Sequence, residues 1–176
     1  MLTHMDTREI RIGMGTDVHA FAGGRNLVLG GVKIEHDQGL AGHSDADVLI
    51  HAVCDAILGA AGLGDIGDLF PDTDPEYKDI DSRILLQSCA QQLVKTGFRI
   101  LNLDCTVFAQ VPKLGPKKQE MAASIARTLS LSPRLVTVKA TTTEHLGFIG
   151  RKEGIAAQAI VLIATQTKPS IRDNMT

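Results

Sequence analysis

The stretch that decides the fold lies near the end of the chain and reads IAAQAIVLIAT, at residues 155–165. Its length and its β-branched content predict a β-strand. Successive side chains of a strand point to opposite faces, and both alternating sets are largely apolar here. A strand that is buried on both faces needs cover on both sides. Helices can supply one cover, and we expect a partner subunit to supply the other.

The rest of the chain alternates between helix-like and strand-like patterns. Helices are predicted where apolar residues recur three and four positions apart, at residues 44–61, 81–96 and 117–130. Strands are predicted at residues 10–13, 101–110 and 135–143, with a hairpin around Gly30-Gly31 at residues 27–34. Ser44 and Asp47 resemble a capping box for the first helix. These elements predict an α/β (α+β) fold with a mixed sheet and helices on one face.

Length, charge and cysteine content bound the class of protein. The 176 residues suffice for one domain, which we expect over residues 10–167, with an extension at 1–9 and a tail at 168–176. The net charge of -2 shows no excess of basic residues of the kind that binds nucleic acid. The three cysteines fit no metal spacing and are interpreted as reduced core residues. No apolar run approaches the roughly 20 residues that span a bilayer, and the first residues resemble neither a signal nor a transit peptide. We expect a cytoplasmic protein that binds neither membranes nor nucleic acid.

The segment Asp17-Val18-His19 is a first indication of a metal site. In an extended chain, residues two apart point the same way, so Asp17 and His19 can reach one ion. Such short pairs are common, and this pair alone favours a loop aspartate and a surface histidine over a metal site.

A second indication lies in the first predicted helix. His43, Asp47, His51 and Asp55 recur every four residues, which lays them along one helix face. The alternative is a solvated face, but such faces favour Lys, Glu and Arg, and residues 44–61 contain none of these. Two imidazoles and one carboxylate suit Zn²⁺ with an open fourth position. The expected zinc ligands are Asp17, His19 and His51.

Three further segments could handle phosphate, sugar and base. The segment KATTTE at residues 139–144 offers hydroxyls and backbone amides for phosphate oxygens, and Glu144 could carry Mg²⁺; the alternative for the threonines is plain β-propensity. The acidic loop DIGDLFPDTD at residues 65–74 either caps helices or accepts hydrogen bonds from sugar hydroxyls. The loop AQVPKLGP at residues 109–116 is either a plain connector or a rigid loop whose backbone amides and carbonyls bind the edge of a nucleotide base.

Taken in order, these motifs resemble one family closely, 2-C-methyl-D-erythritol 2,4-cyclodiphosphate synthase of the non-mevalonate isoprenoid pathway. The resemblance covers about residues 10 to 165. The segments that carry it are GTDVH at 15–19, HSDADV at 43–48 with His51 following, GDIGDLFPDTD at 64–74, AQVPK at 109–113, KATTTE at 139–144 and GFIGR at 147–151.

The resemblance implies a homotrimer with active sites between subunits. The substrate would be 4-diphosphocytidyl-2-C-methyl-D-erythritol 2-phosphate, which closes to the cyclic diphosphate and releases CMP. It implies Zn²⁺ on Asp17, His19 and His51, and Mg²⁺ or Mn²⁺ on Glu144. It further implies that His43 and Thr142 stabilise the transition state.

The resemblance also implies the substrate contacts. Asp65, Gly67 and Asp72 would hold the erythritol portion, whereas the cytidine and its phosphates would lie on the neighbouring subunit. The full implied set is Asp17, Val18, His19, His43, Ser44, Asp65, Ile66, Gly67, Phe70, Pro71, Asp72, Thr73, Asp74, Ala109, Gln110, Val111, Pro112, Lys113, Leu114, Gly115, Thr141, Thr142, Thr143, Glu144, Phe148 and Arg151. Phe148, Arg151 and Glu153 would line the trimer axis. The departures from the family pattern are Met14, His145 and Ile149, and none falls on an implied metal ligand.

Two other functions fit parts of the pattern. One is a metal-dependent phosphohydrolase, in which water replaces the 2-phosphate as nucleophile. The other is a trimeric nucleotide- or isoprenoid-binding module without activity, but such a module would be expected to lose the ligands that this sequence retains.

Overall fold

The computed structural model describes residues 8–71 and 73–166. Its main feature is a five-stranded sheet in the order β4-β1-β7-β5-β6. Within the described residues the strands are β1 (Ile10–Ala22), β2 (Leu27–Leu29), β3 (Val32–Ile34), β4 (Gly39–Leu40), β5 (Phe98–Phe108), β6 (Val136–Thr141) and β7 (Gly154–Thr165). The pairs β1–β7, β5–β7 and β1–β4 are antiparallel and β5–β6 is parallel. The prediction of an α/β chain with a mixed sheet is therefore confirmed, and the predicted hairpin forms as β2–β3.

Three long helices pack on one face of the sheet, mainly α1 on β1 and β7, α3 on β5, and α4 on β6. The helices described are α1 (Val48–Ala61), α2 (Ile66–Leu69), α3 (Ser82–Lys95), α4 (Lys118–Thr128) and α5 (Gly147–Gly150), with 3-10 turns at Pro75–Tyr77, Gly115–Lys117 and Pro133–Leu135. In this part of the chain no helix is long and apolar enough to cross a membrane. The cysteines Cys54, Cys89 and Cys105 are buried and unpaired, as predicted.

The predicted start of the first helix is wrong. The helix begins at Val48 instead of residue 44, and its N-cap is Asp47, whose carboxylate accepts from the amides of Leu49 and Ile50. Ser44 does not take part in a capping box, since its hydroxyl accepts from the amide of Ala46. The predicted four-residue stripe is wrong for the same reason, because His43 and Asp47 precede the helix.

Asp47 is fully buried and turns away from solvent towards the β2–β3 hairpin. Its two carboxylate oxygens accept from the amides of Gly30 and Gly31, at 2.9 and 2.6 Å. One side chain therefore fixes both the start of α1 and the hairpin turn.

The first strand is much longer than the predicted residues 10–13, and it carries the Asp17-Val18-His19 segment into the sheet. Gly13 and Gly15 allow this, because α1 lies directly against them. A β-carbon on Gly15 would lie 2.1 Å from the carbonyl oxygen of Ala52. The close contact brings α1 and the functional end of β1 together.

The fifth strand departs from the predicted strict alternation at Leu101. A register shift against β7 falls between Ile100 and Asn102, so that Ile100 takes the buried position and Leu101 is only partly buried. The strand predicted at residues 135–143 is also shorter than expected, because residues 133–135 form a 3-10 turn and β6 ends at Thr141.

The central strand β7 has one face under the helices and one that no described residue covers. The covered set, Ile155, Ala157, Ala159, Val161 and Ile163, is fully buried. On the open face, Ile160 of β7 is joined by apolar side chains of β1. These are Ile10, Ile12, Met14 and Val18, which are 54% to 69% exposed.

Candidate active site

A carboxylate and two imidazoles converge where β1 meets α1. Asp17 and His19 are two residues apart on the covered face of β1, and His51 lies one turn into α1. Asp17 Oδ2 is 2.7 Å from His19 Nε2 and 3.0 Å from His51 Nδ1, and the two ring nitrogens are 3.2 Å apart. Among the described residues, these three form the group of side chains that could hold a metal ion.

The donor set suits a divalent metal ion. The Nδ1 atom of His19 is hydrogen-bonded to the carbonyl of Ala41. Since a carbonyl only accepts, Nδ1 carries a proton, and in the neutral ring this leaves the lone pair of Nε2, the nitrogen beside Asp17, available to an ion. Two ring nitrogens and one carboxylate oxygen are the ligands found in catalytic zinc sites with an open fourth position.

The electrostatics of the group favour a charged carboxylate. Burial opposes ionisation of Asp17, but its hydrogen bonds to His19 and His51 prevail and lower its pKa. Burial would also lower the pKa of His19, yet the hydrogen bond and charge of Asp17 outweigh it and raise that pKa. Without an ion, the imidazole N–H groups stabilise the ionised carboxylate, and a cation bound by all three side chains would take the place of those protons.

A cavity of about 500 Å³ opens beside this group. Its lining residues from the predicted set are His19, His43, Ser44, His51, Ile66, Gly67, Phe70 and Pro71. Gly42, Tyr77 and Leu85 complete the lining. The Nε2 atom of His43 donates to the carbonyl of Asp74 at 3.0 Å, which holds its ring at the cavity wall. The cavity joins a candidate metal centre to a site that is large enough for a small organic ligand.

The acidic loop beside this cavity makes helix caps. Asp65 accepts from the amide of Asp68 in a capping box around α2, and the Asp74 carboxylate caps the 3-10 turn that follows. Thr73 lies in an exposed turn between them. Asp72 lies outside the described residues.

A second, smaller cavity of about 160 Å³ lies where β5 and β6 end. It is lined by Ala109, Pro112, Lys113, Leu114, Gly115, Lys118, Ala140, Thr141 and Thr142. The Thr142 hydroxyl donates to Glu144 Oε1 at 2.7 Å, and Gln110 accepts from the amide of His145. Val111 and Thr143 flank these residues, and Glu144 is exposed. The loop residues and threonines that were predicted to bind one ligand thus do meet in space.

The two groups of predicted residues do not meet within one chain. Val18 pairs with Ala156, Ala156 with Phe108, and Phe108 with Thr141, so that these residues form one row across the sheet. Three strand spacings of about 4.8 Å separate the ends of this row, which is about 14 Å. Thr142 and Glu144 therefore lie at a different edge of the sheet from His43 and the metal group. Phe148 and Arg151 lie apart from both cavities, and Arg151 pairs with Glu153.

Sequence reasoning missed several residues that support or line the first cavity. Ser82 contacts the ring of His51, and Tyr77 packs edge-on against Phe70 with ring centroids 5.3 Å apart. Tyr77 is the single tyrosine of a chain with few aromatics, and this was the available signal. Ser82 offered no signal, because a serine at a helix start is expected for capping alone.

Comparison with known proteins decides the family. The model of the YgbB family matches residues 10–164. The chain belongs to the YgbB family. The resemblance noted in the sequence, which named 2-C-methyl-D-erythritol 2,4-cyclodiphosphate synthase, is confirmed by relatives that carry this name.

Three relatives of this YgbB-family chain illustrate the match. The 2-C-methyl-D-erythritol 2,4-cyclodiphosphate synthase of Bordetella avium is 56% identical over 160 residues, which cover 91% of this chain and 99% of the relative. The bifunctional IspDF of Campylobacter jejuni has 49% identity and a TM-score of 0.88, and the match covers 94% of this chain and 46% of that longer protein. A CDP complex of IspF from Plasmodium falciparum has 36% identity and a TM-score of 0.79, with 90% and 97% covered.

Proposed function

We propose that this chain is a 2-C-methyl-D-erythritol 2,4-cyclodiphosphate synthase, a phosphorus–oxygen lyase of non-mevalonate isoprenoid biosynthesis. It converts 4-diphosphocytidyl-2-C-methyl-D-erythritol 2-phosphate into the cyclic diphosphate and CMP. The observation that carries this proposal is the Asp17, His19 and His51 group beside a cavity, in a chain whose relatives bear that enzyme's name.

The reaction needs alignment and charge neutralisation more than a strong base. An oxygen of the 2-phosphate forms a bond to the β-phosphorus, and the bond from that phosphorus to the CMP oxygen breaks. The nucleophile is already an anionic phosphate oxygen, so an activated serine or cysteine is not required. This fits the first cavity, whose lining includes one serine and no cysteine.

Zinc is the metal we assign to Asp17, His19 and His51, where it would act as a Lewis acid on a phosphate oxygen. Their mixed nitrogen and oxygen donors support zinc over magnesium. Glu144 is assigned to Mg²⁺ or Mn²⁺ together with substrate phosphates. Its support is the exposed carboxylate beside the Thr142 hydroxyl, since these ions prefer oxygen ligands and usually bind through one or two carboxylates plus phosphates.

His43 and Thr142 are proposed to stabilise charge in the transition state. His43 lies at the wall of the first cavity and Thr142 at the rim of the second. Each now donates to a protein oxygen, of Asp74 or of Glu144, and would exchange that partner for a phosphoryl oxygen. Preorganised donors of this kind act where negative charge builds up on phosphoryl oxygens.

The two cavities suit the two ends of the substrate. The first, lined by Ile66, Gly67 and Phe70, is proposed to hold the erythritol portion together with Asp65 and with Asp72, which lies outside the described residues. The second, with the residue 109–115 loop and Thr141, is proposed to hold cytidine and its phosphates. The CDP complex of the Plasmodium falciparum relative supports a cytidine nucleotide as the ligand.

A homotrimer is the assembly we propose, with each active site shared between neighbouring chains. Two observations support it. The open face of the sheet carries five exposed apolar side chains on β1 and β7, which need cover. In addition, the separation of about 14 Å between the two groups means that one chain cannot easily place both around a single diphosphate.

Two further proposals concern the extent and location of the protein. We propose that residues 10–167 form one synthase domain, which is supported by the family match over residues 10–164. The extension at 1–9 and the tail at 168–176 lie mostly outside the described residues. A cytoplasmic location is supported by three buried cysteines that remain unpaired.

Product analysis tests the proposed function. The protein is incubated with the cytidine diphosphate substrate and Mg²⁺, and products are separated and identified by mass. Equal amounts of CMP and the cyclic diphosphate are expected. Free phosphate with a linear product would indicate the phosphohydrolase instead, and binding without any product would indicate a binding module.

A further inference from the structure

On the side away from Asp17, the ring of His51 contacts Ser82, which is hydrogen-bonded in turn to a second aspartate, Asp45. While its Nδ1 faces Asp17, its Nε2 lies 3.1 Å from the hydroxyl oxygen of Ser82. Ser82 is fully buried at the start of α3, and its hydroxyl is 2.5 Å from Oδ1 of Asp45. The other oxygen of Asp45 accepts from the amide of Ser82 at 3.2 Å. Asp45 thus accepts hydrogen bonds from both the hydroxyl and the backbone amide of Ser82.

The proton positions in the hydrogen bonds between Asp45, Ser82 and His51 follow from counting donors. A carboxylate only accepts, so the single hydroxyl proton of Ser82 must go to Asp45, and the 2.5 Å distance is typical of a charge-assisted bond. The oxygen of Ser82 is then left as an acceptor towards His51. A ring nitrogen 3.1 Å from an acceptor must itself carry a proton, since two lone pairs would repel each other.

In the neutral ring this assignment leaves His51 Nδ1 with a lone pair 3.0 Å from Asp17 Oδ2, which also only accepts, so that a cation is needed between the two atoms. The Ser44 hydroxyl, 3.0 Å from Nε2, fits the same assignment. It can donate to Ser82, from which it is 3.2 Å away, and it already accepts from the amide of Ala46. Ser44 can rotate to donate or accept, so it does not choose the tautomer; Asp45 does, through Ser82.

We propose that Asp45 and Ser82 are positioning residues that hold His51 in the tautomer and orientation in which Nδ1 binds the metal. The inference rests on the proposed metal site and deepens it. Partners of this kind behind a metal-bound histidine fix the ring and strengthen its basicity, and their loss commonly weakens metal binding 10- to 100-fold. These hydrogen bonds also link the affinity for the metal to the position of α3, on which Ser82 lies.

The test compares zinc affinity in the wild type with that in Ser82→Ala and Asp45→Asn. Zinc is titrated against a competing chelator, and folding is checked by circular dichroism. Both variants should bind zinc about 10- to 100-fold more weakly. The Asp45→Asn variant keeps the shape of the side chain, and its amide cannot accept from the Ser82 amide and the Ser82 hydroxyl together. Ser124→Ala is the matched control, because Ser124 is also buried on a helix but lies on α4.

A second readout observes the ring directly. Long-range ¹H–¹⁵N correlation in the zinc-loaded wild type should show His51 metal-bound at Nδ1 and protonated at Nε2. Zinc on Nε2, or unchanged zinc affinity in both variants, would overturn the inference. An equal loss of affinity in Ser124→Ala would overturn it too, since it would reflect general destabilisation. If the wild type itself binds no zinc, the proposed metal site fails, which is a separate result.

Discussion

Gly15 and Ala52 are in direct backbone contact: a β-carbon on Gly15 would lie 2.1 Å from the carbonyl oxygen of Ala52. Ala52 follows His51, and Gly15 precedes Asp17 by two residues on the same strand. The contact therefore sets the distance between two of the three candidate metal ligands.

Gly15→Ala should push α1 away from β1. We expect a loss of about 1–3 kcal/mol in the free energy of unfolding, as for other overpacked sites. Weaker zinc binding should accompany it, because Asp17 and His51 move apart. Urea unfolding and chelator titration measure the two effects. Gly23→Ala is the control, since no atom lies within 4 Å of the added carbon; a similar loss there would argue against the contact as the cause.

Asp47→Ala should be more destabilising than the loss of an ordinary helix cap. Its buried carboxylate serves two amides of α1 and two of the hairpin turn, and hydrogen bonds to charged groups contribute about 1.5–3 kcal/mol each. We expect a loss on the order of 3 kcal/mol or more. Asp81→Ala, which removes the cap of α3 and a partly exposed ion pair with Arg83, should cost about 1 kcal/mol. Thermal or urea unfolding that gives equal losses would contradict the bridging role of Asp47.

The role of Asp47 as the N-cap of α1 could not be predicted from the sequence. Its four-residue spacing from His51 matched a helix face, but spacing cannot reveal that the backbone before Val48 is not helical. The predicted first strand ended at Gly13, although Gly13 and Gly15 lie inside β1 and are what let α1 approach it.

The three candidate metal ligands could be predicted from the local sequence pattern. Asp17 and His19 could be paired because strand periodicity acts over two residues, and His51 stood out in a helix without cations. Ser82 could not be found this way, because its contact with His51 spans 31 positions and depends on how α3 packs against α1. Local periodicity predicts which face a residue occupies and says little about which distant element lies opposite.

Ile12→Glu should disrupt the proposed trimer. Ile12 is 69% exposed on the open face of the sheet, and a carboxylate buried there without a partner would be strongly unfavourable. Light scattering should give about three times 18.8 kDa for the wild type and a smaller mass for the variant. The matched control is Val94→Glu, because Val94 is 55% exposed but lies on α3. A wild type that is active as a clean monomer would refute the shared site.

Glu144→Gln should lower turnover by at least about 10²-fold, which corresponds to roughly 2.7 kcal/mol of transition-state stabilisation. The amide keeps the shape of the side chain but loses the charge that is proposed to hold Mg²⁺. Turnover is measured over a magnesium titration, and zinc content is measured in parallel and should not change. Glu120→Gln, on the exposed surface of α4, serves as the control. Wild-type turnover with an unchanged magnesium dependence would exclude this role for Glu144.

Two inactive variants should restore activity when they share a trimer. His51→Ala lacks the zinc ligand and Glu144→Gln lacks the magnesium ligand, so each alone should be inactive. If every site takes its zinc group from one chain and Glu144 from its neighbour, a random equal mixture should regain about one quarter of the wild-type sites. The variants are co-refolded and assayed against the same proteins mixed without refolding. Activity no higher than that of the separate variants would show that both residues serve the same chain's site.

The row that separates Val18 from Thr141 also determines how the enzyme responds to dilution. If neither group can act without its counterpart on another chain, a dissociated chain has no partial activity. At concentrations well below the trimer dissociation constant, the amount of trimer follows the cube of the monomer concentration, and turnover per chain follows its square. The amount of protein present would then set the specific activity as well as the total, so that a small rise in expression near this threshold would increase isoprenoid flux more than in proportion.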